Sequence, residues 1–215
     1  MFNRSILIVL VIALAAGLGL AASQYWFGRA GSPATPELRT VRLFPQPREL
    51  PPFALQQSDG TQLVPGELHG HWTLVFLGFT HCPDVCPTTL ADLSRAQRQW
   101  EALPEARRPR VLFVSVDPER DTPDRIGEYA AFFHGDTLAA TADIPSLEAF
   151  ARSLSLVFMK VPGPEGAPED AYTIDHSAAL ALLDTEGRMA GVVQGPLDPE
   201  AIAADLAALT SEGAQ

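Results

Sequence analysis

The chain changes hydrophobic regime three times. Residues 5–22 form an eighteen-residue run without a single charge, preceded by Asn3 and Arg4. Such a run is just long enough to cross a bilayer as a helix. Tyr25, Trp26 and Phe27 follow it where an interfacial aromatic belt would lie. The pattern predicts an uncleaved membrane anchor over residues 1–27, with the remainder exported to the periplasmic or other extracytoplasmic side of the inner membrane. Leu20-Ala21-Ala22-Ser23 offers a signal-peptidase site as the alternative, which exports the chain equally. Arg29, Arg39 and Arg42 offset the orientation cue from Arg4. Residues 28–52 are rich in Pro, Arg and small side chains without a sustained period, and read as a linker.

From residue 53 onward, short strand-like runs alternate with helical periodicity. Residues 53–64 alternate around Asp59-Gly60 and predict a β-hairpin. Residues 74–79 are a continuous apolar run of buried-strand length, and Leu90, Leu93 and Gln97 then recur at helical spacing as far as Trp100. A second apolar strand, residues 110–117, ends at Pro118. Strand, helix, strand in that order implies a right-handed crossover and a parallel pair. Thr122-Pro123 opens a helix with Ile126, Tyr129, Ala130 and Phe133 on one face, and residues 138–140 form a short apolar piece. Residues 145–154 form a third helix with Leu147, Phe150, Ala151 and Leu154 inward. Residues 156–161 read as strand, 162–171 as loop, 173–183 and 189–194 as antiparallel strands, and 199–209 as an amphipathic helix. No internal repeat interrupts this order. The sum is an α/β, thioredoxin-like fold with an added N-terminal β-hairpin over residues 53–212, preceded by one N-terminal transmembrane helix.

Charge and length narrow the chemistry. With 26 acidic against 15 basic side chains the formal net charge is −11, which repels phosphate backbones and excludes nucleic acid as a partner. At 215 residues the chain buries a full core without disulfide staples, so its two cysteines are not required for folding.

Those cysteines, Cys82 and Cys86, sit where the strand over 74–79 hands over to a helix, with Pro87 suited to the first turn. Amide donors and the positive end of a helix favour thiolate over thiol, so both sulfurs are expected to ionise readily. The three-residue spacer brings them to one side of the first turn, where they can close a disulfide or share a metal ion. A structural disulfide, thiol redox catalysis and metal binding all remain open on this spacing. His176 adds a third group. In a thioredoxin-like plan it falls at the junction facing the first turn of that helix, where thioredoxins carry an X-Pro pair, and here the pair is His176-Ser177. Two thiolates and an imidazole make a three-coordinate site suited to Cu(I), which soft ligands select, while Cu(II) with partly different ligation stays a second species.

The remaining candidates read differently. His81 adjoins Cys82, but neighbouring side chains in extended backbone point apart. His69, His71 and His134 fall in turns and read as solvated, and Met159 and Met189 as core. Asp117, Glu119, Arg120 and Asp121 follow the second strand on the same sheet edge as the cysteines, where they shape the site, contact a partner or simply bond the turn around Pro118. Asp175 is a candidate to orient His176 as a supporting carboxylate.

Three blocks carry a resemblance. G-F-T-H-C-P-D-V-C-P over residues 78–87, V-D-P-E-R-D-T-P over 116–123 and D-H-S over 175–177 are similar to the signature blocks of the Sco/SenC family, in the same order. That family comprises membrane-anchored copper proteins of cytochrome c oxidase assembly. The resemblance spans residues 53–209 and implies a thioredoxin-like fold with copper ligation by Cys82, Cys86 and His176. It also implies delivery of copper to the CuA site of cytochrome c oxidase subunit II, or maintenance of that site's thiols as a thiol-disulfide oxidoreductase. Other periplasmic copper or thiol-redox proteins then serve as donors and reductants, and the Cys82–Cys86 disulfide is the oxidised state. A copper-responsive binding module is a third reading. A peroxidase lacks its motif here.

Overall fold

The computed structural model describes residues 3–27, 37–168 and 170–212, with the side chains of residues 5, 7, 24–27 and 212 left aside. The chain divides into two units, Met1–Pro36 and Glu37–Gln215. In the first, α1 (Arg4–Phe27) exposes Ile8, Val9, Leu10, Val11, Ile12, Leu14, Leu18 and Leu20. Among the described residues no helix is long and apolar enough to cross a membrane, so the expected anchor rests on the sequence pattern. Residues 28–36 of the expected linker lie outside the described residues.

The second unit is built on an eight-stranded mixed sheet. In chain order it contains β1 (Val41–Arg48), β2 (Leu55–Gln57), β3 (Gln62–Leu63), β4 (Thr73–Gly78), α2 (Val85–Trp100) and β5 (Arg110–Ser115). There follow α3 (Pro123–Phe133), β6 (Leu138–Thr141), α4 (Ile144–Ser153), β7 (Phe158–Val161), β8 (Thr173–His176), β9 (Leu180–Leu183), β10 (Met189–Val193) and α5 (Pro199–Glu212). The strand order is β1-β10-β9-β4-β5-β6-β2-β3. Every residue of β4 is buried, as a strand covered on both faces requires. It runs parallel to β5 from Thr73↔Arg110 to Gly78↔Ser115 and antiparallel to β9. Helices α2 and α5 pack together, and the Trp100 indole N–H donates to the Ala203 carbonyl at 3.1 Å.

This is the expected thioredoxin-type α/β plan. The hairpin forms at β2–β3, with Gly60 at φ +84° in its turn, and β2 also extends the sheet beyond β6.

Two expectations are corrected. Residues 41–48, read as linker, form an edge strand antiparallel to β10. Pro45 and Pro47 hid it, because proline removes ladder donors, but an edge tolerates that loss and the pairing is irregular between Leu43 and Arg48. The strand expected over 173–183 is two strands. β9 joins the main sheet, whereas β8 pairs only with β7 in a separate two-stranded ribbon.

Candidate metal centre

The first wall of the site is the end of β4 and the start of α2. Asp84 at the N-cap makes no side-chain cap bond. Instead the Cys86 backbone N–H donates to Cys82 Sγ at 3.3 Å, so sulfur takes up one of the unpaired donors of the first turn. Cys86 and Pro87 both lie in that turn, and Cys86 is fully buried while Cys82 is half-buried. Room for the buried sulfur comes from Gly78. A Cβ there would stand 3.0 Å from Cys86 Sγ and 2.9 Å from Phe113 Cε2.

The loop between β4 and α2 is fastened from below by Asp121, itself only 1 % exposed. Its carboxylate accepts from the Thr80 N–H at 2.9 Å, the Thr80 hydroxyl at 2.5 Å and the Ser115 hydroxyl at 2.5 Å. Asp121 thus shapes the site from the sheet edge on which its place after the second strand put it, but its particular partners, Thr80 and Ser115, are distant in sequence or unmarked by any local pattern.

The opposite wall is the ribbon. His176 ends β8 opposite Phe158. Its ring stands edge-on to Phe76 and Phe79, with centroids 5.8 and 6.2 Å away. Nδ1 lies 3.1 Å from the Ser177 carbonyl. A carbonyl only accepts, so Nδ1 carries the proton and Nε2 presents its lone pair to Cys86 Sγ, 3.4 Å away. Burial lowers the His176 pKa, and the Ser177 carbonyl and the Asp175 charge only partly offset it, so the imidazole is neutral at neutral pH. The expected orienting carboxylate is thus corrected: the Ser177 carbonyl holds the ring, and Asp175 is exposed on the other face of the strand.

One donor atom each from Cys82, Cys86 and His176 lie within 4.8 Å of one another. Thiolate and imidazole donors sharing one ion at about 2.0–2.3 Å stand roughly 3.5–4 Å apart. The three groups therefore fit a soft ion after small side-chain adjustments. The expectation that both sulfurs ionise readily is corrected for Cys86. Burial pushes its thiol well above the ordinary value, and the hydrogen bond with Cys82 adds to this. The helix amide that was expected to favour thiolate goes to Cys82 instead.

The other predicted residues sort themselves around this centre. His81, Asp117 and Asp121 also converge within 4.8 Å, but their polar atoms are already engaged. Asp117 accepts from Arg120 Nε at 2.6 Å and from the Tyr172 hydroxyl at 2.7 Å, and His81 Nε2 lies 3.3 Å from Arg125 Nη2. Glu119 meets Lys160 at 2.7 Å. His71 and His134 are not simply solvated: His71 Nδ1 donates to the Arg108 carbonyl at 2.8 Å, and His134 Nε2 meets Glu101 at 3.2 Å with its side chain only 10 % exposed. Met189 is core, whereas Met159, expected there too, is exposed.

The SCO1/SenC family profile matches residues 44–211. The copper-bound ScoI of Bradyrhizobium japonicum is 36% identical, with TM-score 0.64 over 73% of this chain and 96% of that one. The copper-bound ScoI of Arabidopsis thaliana is 29% identical, with TM-score 0.67 over 76% and 98%. The mitochondrial SCO2 homolog of Bos taurus is 36% identical over 135 residues, 63% of this chain and 50% of that protein, so the match spans half the length of that relative. With its profile match covering nearly the whole folded unit, the chain belongs to the SCO1/SenC family.

Proposed function

We propose that this protein binds copper between Cys82 Sγ, Cys86 Sγ and His176 Nε2 and delivers it to the CuA site of cytochrome c oxidase subunit II. The observation that carries the reading is the convergence within 4.8 Å of these three donors, drawn from the β4–α2 loop, the first turn of α2 and the end of β8. The copper-bound relatives support the choice of ion. Two sulfurs and one nitrogen suit Cu(I). A low-coordinate ion beside the half-buried Cys82 is open to an incoming thiolate, which displaces the donors one at a time. Oxidation of the thiols to a Cys82–Cys86 disulfide removes two ligands together and makes loading depend on an external reductant. The uncharged run over residues 5–22 and the exposed apolar side chains of α1 support an N-terminal anchor in the inner membrane, with the folded unit on the periplasmic side.

The two closely spaced thiols also support a second reading, reduction of the cysteines of the CuA site by thiol-disulfide exchange. Anaerobic titration of the reduced protein with Cu(I) tests the first. One ion is expected per chain, Cys82→Ser is expected to abolish tight binding, and His176→Ala to weaken it by at least about tenfold, some 1.4 kcal/mol. Oxidase assembly that survives His176→Ala while copper binding is lost would favour the reductase. Unchanged affinity in that variant would remove His176 from the site.

A further inference from the structure

The ribbon that presents His176 shares no backbone ladder with the main sheet. Apart from the three-residue link 177–179 to β9, side chains set its distance from the sulfurs, and a file of them runs from the β5–α3 loop to the imidazole. Asp117, 2 % exposed, accepts from Arg120 Nε at 2.6 Å and from the Tyr172 hydroxyl at 2.7 Å. Arg120 Nη1 donates to the carbonyls of Asp170 at 3.3 Å and Tyr172 at 3.1 Å, just before β8. The guanidinium lies 3.6 Å from the centre of the Tyr172 ring and 5.9 Å from that of Phe79, and Lys160 of β7 covers Tyr172 at 3.8 Å. Phe79 in turn meets the His176 ring.

Arg120 Nη2 is buried and, among the described residues, has no hydrogen-bond partner. A desolvated, incompletely paired guanidinium is costly, and only the stack and the other nitrogens' bonds offset that cost.

We propose that Arg120, Asp117 and Tyr172 form a clamp that positions His176 against the sulfur pair, so that an arriving ion meets three donors instead of two. The inference deepens the copper-binding reading and rests on its ligand set. Arg120 and its partners are positioning residues and touch no ion. Lysine cannot replace the arginine, because it lacks the planar fork that bonds Asp117 and two carbonyls while stacking on Tyr172.

The test uses the full chain, reduced and metal-free, labelled with 13C and 15N, as wild type, Arg120→Lys and Tyr172→Phe. The second variant removes only the hydroxyl that reaches Asp117. In both, the His176 ring signals are expected to lose the ring-current displacement due to Phe76 and Phe79. Amides of β7 and β8 are expected to exchange about tenfold faster, with β4 and β5 unchanged. After one equivalent of Cu(I), X-ray absorption is expected to show a nitrogen neighbour in the wild type and sulfur alone in the variants. Wild-type ring signals and ribbon exchange in Tyr172→Phe would overturn the clamp, whatever the stability of Arg120→Lys. Absence of nitrogen in the wild-type spectrum would instead sink the ligand set, a distinct outcome because the metal-free signals judge the clamp without copper.

Discussion

Gly78 stands at the end of β4 where any Cβ would press on Phe113 Cε2 at 2.9 Å, Cys86 Sγ at 3.0 Å and Phe76 Cε1 at 3.1 Å. Gly78→Ala is therefore expected to destabilise the fold by about 1–3 kcal/mol through overpacking. It should also displace the buried sulfur, so a thermal melt and a Cu(I) titration should both register the change. Unaltered values in both would mean that the neighbours yield freely. The two cysteines should differ as sharply in reactivity. Cys86 is fully buried and burial raises its pKa, whereas Cys82 is partly exposed. Iodoacetamide at pH 8 is expected to label Cys82 first, by at least about tenfold, because the accessible thiolate is the nucleophile. Peptide mass spectrometry would show it, and equal labelling would refute the assignment. The identities of Cys82, Cys86 and His176 were legible from spacing and from the family resemblance. Their inequality was not, since nothing in Cys-x-x-x-Cys says which sulfur turns inward or that the ring leans on the carbonyl of Ser177.

Among the elements, those whose pattern is dominated by burial were legible: β4, β5, α2, α3 and α4 fall where the periodicity put them. The failures share one cause, long-range pairing that local pattern does not encode. β1 has two prolines and one fully buried residue, Val41, and it is held by contacts more than 160 residues apart in sequence. The Asp205 carboxylate of α5 accepts from the N–H groups of Arg39, Thr40 and Val41 and from the Thr40 hydroxyl, at 2.8–3.0 Å. Burial alone would raise its pKa, but these donors outweigh burial and hold it below the ordinary 3.8. A depressed carboxyl contributes stability above its unfolded pKa of about 3.9 and loses it as pH falls through the folded value. Hydrogen exchange should show β1 loosening below about pH 4 in the wild type. In Asp205→Asn that step should be absent, and stability at neutral pH should be lower by roughly 2 kcal/mol. An unchanged acid transition in the variant would show that other carboxylates carry it.

At the scale of the whole molecule, the chain is a folded unit beginning at Glu37 and a separate apolar helix. The sequence pattern put the start of the folded unit at residue 53, because the residues that bring the first strand into the sheet are prolines and arginines with no apolar alternation. The proposed anchor makes a direct prediction. The full chain should remain with bacterial membranes through an alkaline carbonate wash, and a chain lacking residues 1–36 should be released. Recovery of the full chain in the wash would refute the anchor.

The outer borders of the eight-stranded sheet carry a last consequence. One is β1, whose Pro45 and Pro47 lack amide hydrogens, and the other is the two-residue β3. Among the described residues both borders are therefore poor templates for docking a foreign backbone as a further strand, the usual route to unwanted polymerisation. Along these two borders recognition of another protein is thereby left to side chains, and strand addition is left to the two-stranded ribbon that carries His176.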